Sequence, residues 1–519
     1  MKANKFFLGL AFVGAILTGC NNEPETVTGP TGDAYVSVQI SMASAAGTRA
    51  VTDGGFAVGD EAEQLITPAN SIFLFYDAQG KWVTSGQLST TNVSTPNNED
   101  DHVDMINDKS AAAYIVLSGP DDQLKKSTQV LTVVNYNDVN SLLQLDKQQV
   151  LDIITNSEDN KPAGNEGVGF LMTTSVYVEN GAIVNTTAIS EDNIQKSQDL
   201  AKQNPVKIYI ERASAKAELA APATTTLGGT QEGDKQIVVD GKISEVVINI
   251  TGWTLNNVLE STHLVKQLET AWTATATEPF SGWNWAENHR CYWAKGTNWG
   301  ALTNQDIAQN TVYTYNQATN AIGTTPVYCY ENTVAQALTD STKPNVNTVL
   351  IAANFNLSGA EGPQDFFRYN GVYYTETNYK NLILKQIKDA GYKKSETEYF
   401  TAADLVIKTN NTLAGIQFEI AGYTDVQNFV NGLAYVTEVE GYKNGMCYYQ
   451  IPVEHLEGLF GMVRNHWYKI NVTAVKRIGE AVYNPNVIIP DIPEKTEDYY
   501  LAAEIHVLSW HVVNQNVEL

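Results

Sequence analysis

The side chains that could do covalent or binding chemistry in this chain are few and scattered. Leu17-Thr18-Gly19-Cys20 sets a thiol directly after small residues. This is the bacterial lipobox pattern, in which the Cys takes diacylglycerol and cleavage makes it the new N-terminus; a plain signal peptide that contains a Cys is the other reading. Arg49 and Ala50 sit in a run of small residues from Ala45 to Gly55. A soft, extended stretch with one basic residue is where a protease can bind; an uncut loop is the alternative. The seven histidines form no HExxH, and there is no GxSxG elbow. Residues 228–235 (GGTQEGDK) resemble a phosphate loop only superficially, because Asp234 stands where the lysine must be. The carboxylates of residues 97–104 (NNEDDHVD) could hold calcium, although a solvated acidic loop is the simpler reading. Trp283, Trp285, Trp293 and Trp299 are close enough in sequence to stack on a sugar, against the simpler role of core or loop packing. Once Cys20 is acylated, Cys291, Cys329 and Cys447 remain, an odd number whose pairing the sequence leaves open. Nothing singles out a pair of catalytic carboxylates. The expectation is a protein that is not an enzyme, with no metal and no cofactor.

The positioning elements begin with an address. Lys2 and Lys5 precede an apolar run from Phe6 to Leu17, which is well short of the roughly 20 residues a membrane-spanning helix needs. Lipidation with two or three chains anchors stably, and Asn22, Glu23, Pro24 and Glu25 then read as an acidic tether. The 519 residues suit two domains. The net charge of -25 repels nucleic acid and anionic lipid. Charged residues are only 18% of the chain, and Thr, Asn, Tyr and Val are plentiful, a mixture that fits pleated sheets better than helical bundles.

Both ends of the folded part read as strands. In residues 34–44 (AYVSVQISMAS), Val36, Val38, Ile40 and Met42 alternate with polar residues, which predicts a half-buried strand. At the other end, Ile505 and Val507 share one face, Leu508, Trp510 and Val512 the other, and Val517 and Leu519 return to the first. The change of phase near Ser509 predicts a bend or bulge. Pro490 and Pro493 make the preceding stretch a stiff linker. The tail either folds back on its own domain or is free for another molecule. If cleavage removed the first strand from a sandwich, the tail of another copy could fill the groove by β-strand addition. Burial of four apolar side chains supplies a gross ~6–12 kcal/mol, less the cost of ordering the tail. Such a contact is head to tail, and repetition gives a filament.

Between the ends, β-branched runs at residues 112–118, 129–136, 206–210, 245–255, 348–355, 415–420 and 468–475 predict β-sandwiches. A helix is expected over 378–390, with Asn378 as N-cap and Gly391 as its stop, and a second over 146–155. The domain boundary is expected near Asn257.

Residues 461–479 (GMVRNHWYKINVTAVKRIG) resemble the final-strand signature of the fimbrillin superfamily of Bacteroidales, the subunits of type V pili. Residues 210–219 (IERASAKAEL), 288–294 (NHRCYWA), 327–333 (VYCYENT) and 505–512 (IHVLSWHV) are similar to its minor-fimbrium shaft branch. The resemblance implies an all-β fold with a few short helices: two transthyretin-like β-sandwich domains in tandem with a C-terminal donor strand. It implies that an arginine-specific protease cuts between Arg49 and Ala50, that Val36 to Met42 is the strand removed, and that a neighbour's C-terminal strand replaces it. Arg464, Asn465, Arg212 and Lys216 then read as framework residues, Arg464 and Asn465 in a turn where Asn bonds its own backbone. Ser509 departs from the proline expected of a minor-fimbrium relative, which implies a looser bend.

The expected organisation is a signal peptide over 1–19, a lipidated propeptide over 20–49, sandwich domains over 50–257 and 258–490, and linker plus donor strand over 491–519. The expected function is that of a fimbrial shaft subunit supporting adhesion, lipidated at the outer membrane as precursor and extracellular when mature. Its partners would be other copies of itself, anchor and tip subunits, the protease, and host protein or glycan ligands. A tip or anchor subunit and a monomeric glycan-binding surface lipoprotein are the competing readings; a surface hydrolase has only undirected acidic residues behind it.

Overall fold

Alternating β-branched and aromatic residues fit a pleated surface, and the chain pairs them into a mostly β architecture of several sheets with a few short helices. The computed structural model describes residues 34–42, 56–57, 63, 65–87, 110–201, 203–222, 224–226, 236–270, 284–286, 289–299, 310–333, 347–456, 459–489 and 510–518.

The first sheet is built from β1 (Ala34–Met42), β2 (Ile72–Tyr76), β3 (Trp82–Gln87), β4 (Ser110–Leu117), β5 (Gln129–Val134), β6 (Met172–Thr174) and β7 (Val206–Arg212). Their order across the sheet is β3-β2-β5-β6-β7-β1-β4. The two ends of this path approach each other, with the Thr84 hydroxyl donating to the Ser118 carbonyl at 3.4 Å. The curled sheet encloses a core of Val36, Phe73, Phe75, Ile115, Val134, Ile208, Ile210 and neighbours. Its outer face is also covered. Ile72, Leu74, Leu131 and Val133 pack there against Leu142 and Val150, and against Leu264, Val265, Cys291 and Trp293 from much later in the chain. Strands buried on both faces read as continuous apolar runs, which is why Ile72–Tyr76 shows no alternation.

The second body is a sandwich. One sheet holds β8 (Ser214–Ala220), β10 (Val327–Tyr330), β13 (His466–Ala474) and β14 (Trp510–Glu518), with the short strand Phe56–Ala57 on the far side of β14. The other is centred on β9 (Lys242–Asn256), β11 (Thr348–Leu357) and β12 (Met446–Pro452). Ala215, Leu219, Tyr468 and Ile470 of one face meet Ile248, Ile351, Phe355 and Tyr449 of the other.

The backbone passes from the first sheet to the second at Ala213, between β7 and β8. Asn257, where the sequence pattern suggests a boundary, lies just past the end of β9. The expected helix over 378–390 runs Glu376–Asp389; Thr375, not Asn378, is its N-cap, and Gly391 follows it at φ +83°. The helix expected over 146–155 is confined to Lys147–Leu151, because Ile154–Asn156 pairs as a strand with Ser261–His263. Among the described residues no helix is long and apolar enough to cross a membrane.

Candidate assembly site

β1 does not lie at an edge. It runs antiparallel to β4 through eight register pairs, Ala34 opposite Leu117 to Ser41 opposite Ser110. On its other side it runs parallel to β7 through five, Val38 beside Val206 to Met42 beside Ile210. Val38, Ile40 and Met42 are thus the register partners of Val206, Ile208 and Ile210, all three of which are buried in the enclosed core. Val36 is 0% exposed. Every backbone group of β4 and β7 that faces β1 would lose its partner if β1 left, and such a gap templates another strand.

The C-terminal strand β14 lies on the second body of its own chain. It runs parallel to β13 through eight register pairs, from His511 beside His466 to Glu518 beside Ala474. Among the described residues, its other edge meets Phe56 and Ala57, antiparallel to it. The slot of β1 and the berth of β14 therefore share one pattern, a parallel neighbour on one side and an antiparallel neighbour on the other. Trp510, Val512 and Val517 lie in β14; Ile505, Val507, Leu508 and Leu519 lie outside the described residues, as do Cys20, Arg49, Ala50 and the segment around Ser509.

One ribbon connects slot and tail. β7 walls the slot, β8 continues it after Ala213, and β8 pairs with β13, which carries β14. Buried charges surround this crossover. The Lys216 ammonium lies 2.7 Å from Glu63 Oε1, with side chains 6% and 0% exposed. The Tyr328 hydroxyl donates to the same carboxylate, and Arg212 Nε donates to the Glu63 carbonyl at 2.9 Å. Burial alone would raise the Glu63 carboxyl, but the bonds from Lys216 and Tyr328 and the nearby Arg212 charge outweigh it and hold the group below its usual range. Lys216 also stands 4.1 Å over the Trp467 ring. Arg464 forks onto Glu331 at 2.9 and 2.7 Å, both side chains 0% exposed, and donates to the Thr262 hydroxyl and the His263 and Leu264 carbonyls. Lys266 lies 3.3 Å from Glu211 and donates to the Cys291 carbonyl at 2.5 Å. Arg212, Lys216 and Arg464 are thus framework contacts between elements far apart in sequence. Asn465, at φ +59°, accepts from Arg212 Nη1 at 3.3 Å through its side chain instead of from its own backbone. Lys216, expected on a strand of the first domain, lies on β8 of the second sheet. Of the anionic partners, Glu63 gave no signal in the sequence, where it is one acid among 58, while Glu331 stands in the 327–333 (VYCYENT) stretch with nothing there to name Arg464 as its partner.

Other candidates resolve more simply. Cys291, Cys329 and Cys447 are free and buried; burial pushes the Cys291 and Cys447 thiols up to about 12 and Cys329 in the same direction. Inert thiols of this kind are packing residues. Trp293 is 1% exposed in the core on the outer face of the first sheet, and Trp299 packs against it; Trp283 and the side chain of Trp285 lie outside the described residues. Burial holds the His455 imidazole down at about 3 and that of His466 well below its usual range, so both are neutral at pH 7. His455 Nδ1 lies 2.8 Å from the Tyr468 hydroxyl inside the core. Among the described residues no group of three His, Cys, Asp or Glu could hold a metal ion; residues 97–104 and 228–235 are outside that description.

No curated protein matches the chain. Three solved structures illustrate the likenesses found. One is a cell adhesion protein from Parabacteroides distasonis, 11% identical, covering 64% of this chain and 79% of that one at a TM-score of 0.32. A second is a fimbrial assembly protein from the same organism, 11% identical over 63% and 83% at 0.29. The third is the tip fimbrial protein Mfa3 from Porphyromonas gingivalis with a C-terminal truncation, 9% identical over 61% and 77% at 0.26. All three scores lie below 0.5, so the informative likeness is local. Residues 440–516, which contain β12, β13 and most of β14, match the family described as "Major fimbrial subunit protein type IV, Fimbrillin, C-terminal", and this stretch of the chain is accordingly similar to the C-terminal domain of the fimbrillins.

Proposed function

We propose that this chain is a non-enzymatic structural subunit of a bacterial surface fimbria, of the shaft type, supporting adhesion. In this reading it is exported as a lipoprotein on Cys20, cut between Arg49 and Ala50 by an arginine-specific protease, and polymerised head to tail. Its two bodies are the tandem transthyretin-like sandwiches of the mature subunit. Anchor and tip subunits are its further partners, and the outer membrane and then the extracellular fimbrium are its locations.

The observation that carries this reading is the interior place of β1. A strand joined to the rest only through a segment that contains Arg49 lies between two long neighbours. Once cut, it has no covalent hold, and its departure exposes a groove with backbone groups on both sides and an apolar floor. The tail has the matching requirement. In its own berth it has eight pairs on one side and two on the other; in the slot of a neighbour it would meet eight and five. The strand order also favours a filament over a closed dimer, because slot and tail lie on different bodies and the contact is heterologous.

The docked tail favours a second reading, a monomeric surface lipoprotein whose C-terminal strand stays at home. Incubating the purified chain with an arginine-specific protease separates the two. The expected products have Ala50 as their first residue and run as a ladder of multimers; an intact, monomeric chain would rule out the fimbrial reading.

A further inference from the structure

Along β7 the residues alternate: Val206, Ile208 and Ile210 enter the enclosed core, while Lys207 and Tyr209 face away from it. That outer face forms part of an open cleft of about 480 Å³, within the size range of small-molecule sites. Three rings form one wall. The Tyr209 and His289 rings stack with centroids 3.9 Å apart, and Tyr177 meets His289 edge-on at 5.3 Å, its hydroxyl 3.1 Å from His289 Nδ1. The wall is preorganised. His289 is held at φ +52°, in the left-handed region that His enters more readily than most residues other than glycine. Its N–H donates to the Ala286 carbonyl at 2.9 Å, and its own carbonyl accepts from the Ser175 hydroxyl at 2.5 Å.

Two cations face the same space. Lys147 donates to Gln129 Oε1 at 2.8 Å and, like Lys207, has no carboxylate partner among the described residues. Burial lowers the pKa of both His289 and Lys147; the imidazole therefore adds no charge at neutral pH, and the lysine gains by meeting an anion. Against the two lysines stands one carboxylate, Glu179. In a chain of net charge -25, a cleft lined by two cations and one anion is a local reversal of sign. The repulsion of the remaining surface is screened beyond about 8 Å at physiological salt.

We propose that this cleft binds an acidic sugar, a carboxylated pyranose of the sialic or uronic acid class. The ring wall offers faces for the sugar's C–H surface, since the negative face of an aromatic ring attracts polarised C–H groups. Lys147 and Lys207 receive the carboxylate through charge-assisted hydrogen bonds, and Glu179 with the amide and hydroxyls of Asn185 and Thr186 receives sugar hydroxyls. A bare inorganic anion would leave the rings without a role, and a neutral sugar would leave the lysines without one.

The test is a titration of the purified full-length chain, followed by ligand-observed NMR, with the methyl glycosides of N-acetylneuraminic acid, glucuronic acid and galactose. Saturable binding of at least one acidic sugar is expected with a Kd of ~1 mM, with galactose at least ~10-fold weaker. Lys207→Gln, at an exposed position, and Lys147→Gln should each weaken the acidic sugar about 10-fold, with circular dichroism showing the fold retained. No saturable binding up to about 50 mM would overturn the assignment. So would equal binding of galactose, displacement of the sugar by equimolar inorganic phosphate, or unchanged binding by folded Lys207→Gln.

Discussion

Deleting residues 503–519 will leave a folded subunit that forms no multimers after proteolysis at Arg49. Folding should survive because β14 lies near the border of its sheet, where among the described residues the two-residue strand Phe56–Ala57 is its one companion beyond β13. Without it, β13 still pairs with β8 and still sends Tyr468, Ile470 and Val472 into the core between the two sheets. Assembly should fail because the slot between β4 and β7 then has no strand to receive. The groove's gain of ~6–12 kcal/mol in gross apolar burial, before ordering costs, would be forfeited at every junction. Circular dichroism and a cooperative melt should therefore stay near those of the parent, while the ladder on gel filtration or electrophoresis disappears completely. A truncated chain that still builds a normal ladder would exclude the tail as donor.

Arg464→Ala is expected to destabilise the fold by about 3–5 kcal/mol, because it leaves the Glu331 carboxylate buried without its partner. That is a large share of the ~5–15 kcal/mol by which a native protein exceeds its unfolded chain. The guanidinium makes a fork onto Glu331 and further bonds to Thr262, His263 and Leu264, so it joins the turn before β13 to the segment that covers the first sheet. Glu331→Ala should be comparably severe, whereas Arg464→Met with Glu331→Leu should cost less than either single change, since no charge is then stranded. Urea unfolding of the three variants measures this. Because slot and tail are linked through β7, β8 and β13, the single variants should also assemble poorly at temperatures where the parent polymerises. A loss below ~1 kcal/mol for Arg464→Ala would show the pair to be energetically idle.

Much of the secondary structure was legible in the alternation of side chains. The stretches at 34–44, 129–136, 206–210, 245–255, 348–355 and 468–475 are strands whose bounds shift by only a few residues. Pairing was not legible, since a period of two says which face a residue takes but not which strand lies beside it. The sheet change at Ala213 illustrates this. Residues 206–220 contain no Gly or Pro to mark the change, and only long-range partners, Met172 for Arg212 and Tyr330 for Ser214, assign the two halves to different sheets. The helix cap was misplaced for a local reason. Val372–Thr375 is a strand that turns directly into the helix, and Asn378 is simply a tolerated residue within the first turn. The charged residues of IERASAKAEL and GMVRNHWYK could be read as framework, but their partners Glu63 and Glu331 lie more than a hundred residues away in sequence, and nothing in the alternation of side chains pairs them. The cleft beside β7 was hidden for the same reason: Lys147, Tyr177, Lys207 and His289 come from four separate stretches. The outward alternation of Lys207 and Tyr209 in VKIYI was its one visible trace.

The identity of the strand between Ser110–Leu117 and Val206–Arg212 in an assembled fibre decides the matter most directly. A density map of fibres sheared from cells should show that position filled by residues from the 503–519 segment of the next subunit along, running parallel to Val206–Arg212, with each chain beginning at Ala50. A map in which Ala34–Met42 still occupies the position, and each C-terminal strand still lies against its own His466–Ala474, would contradict strand exchange.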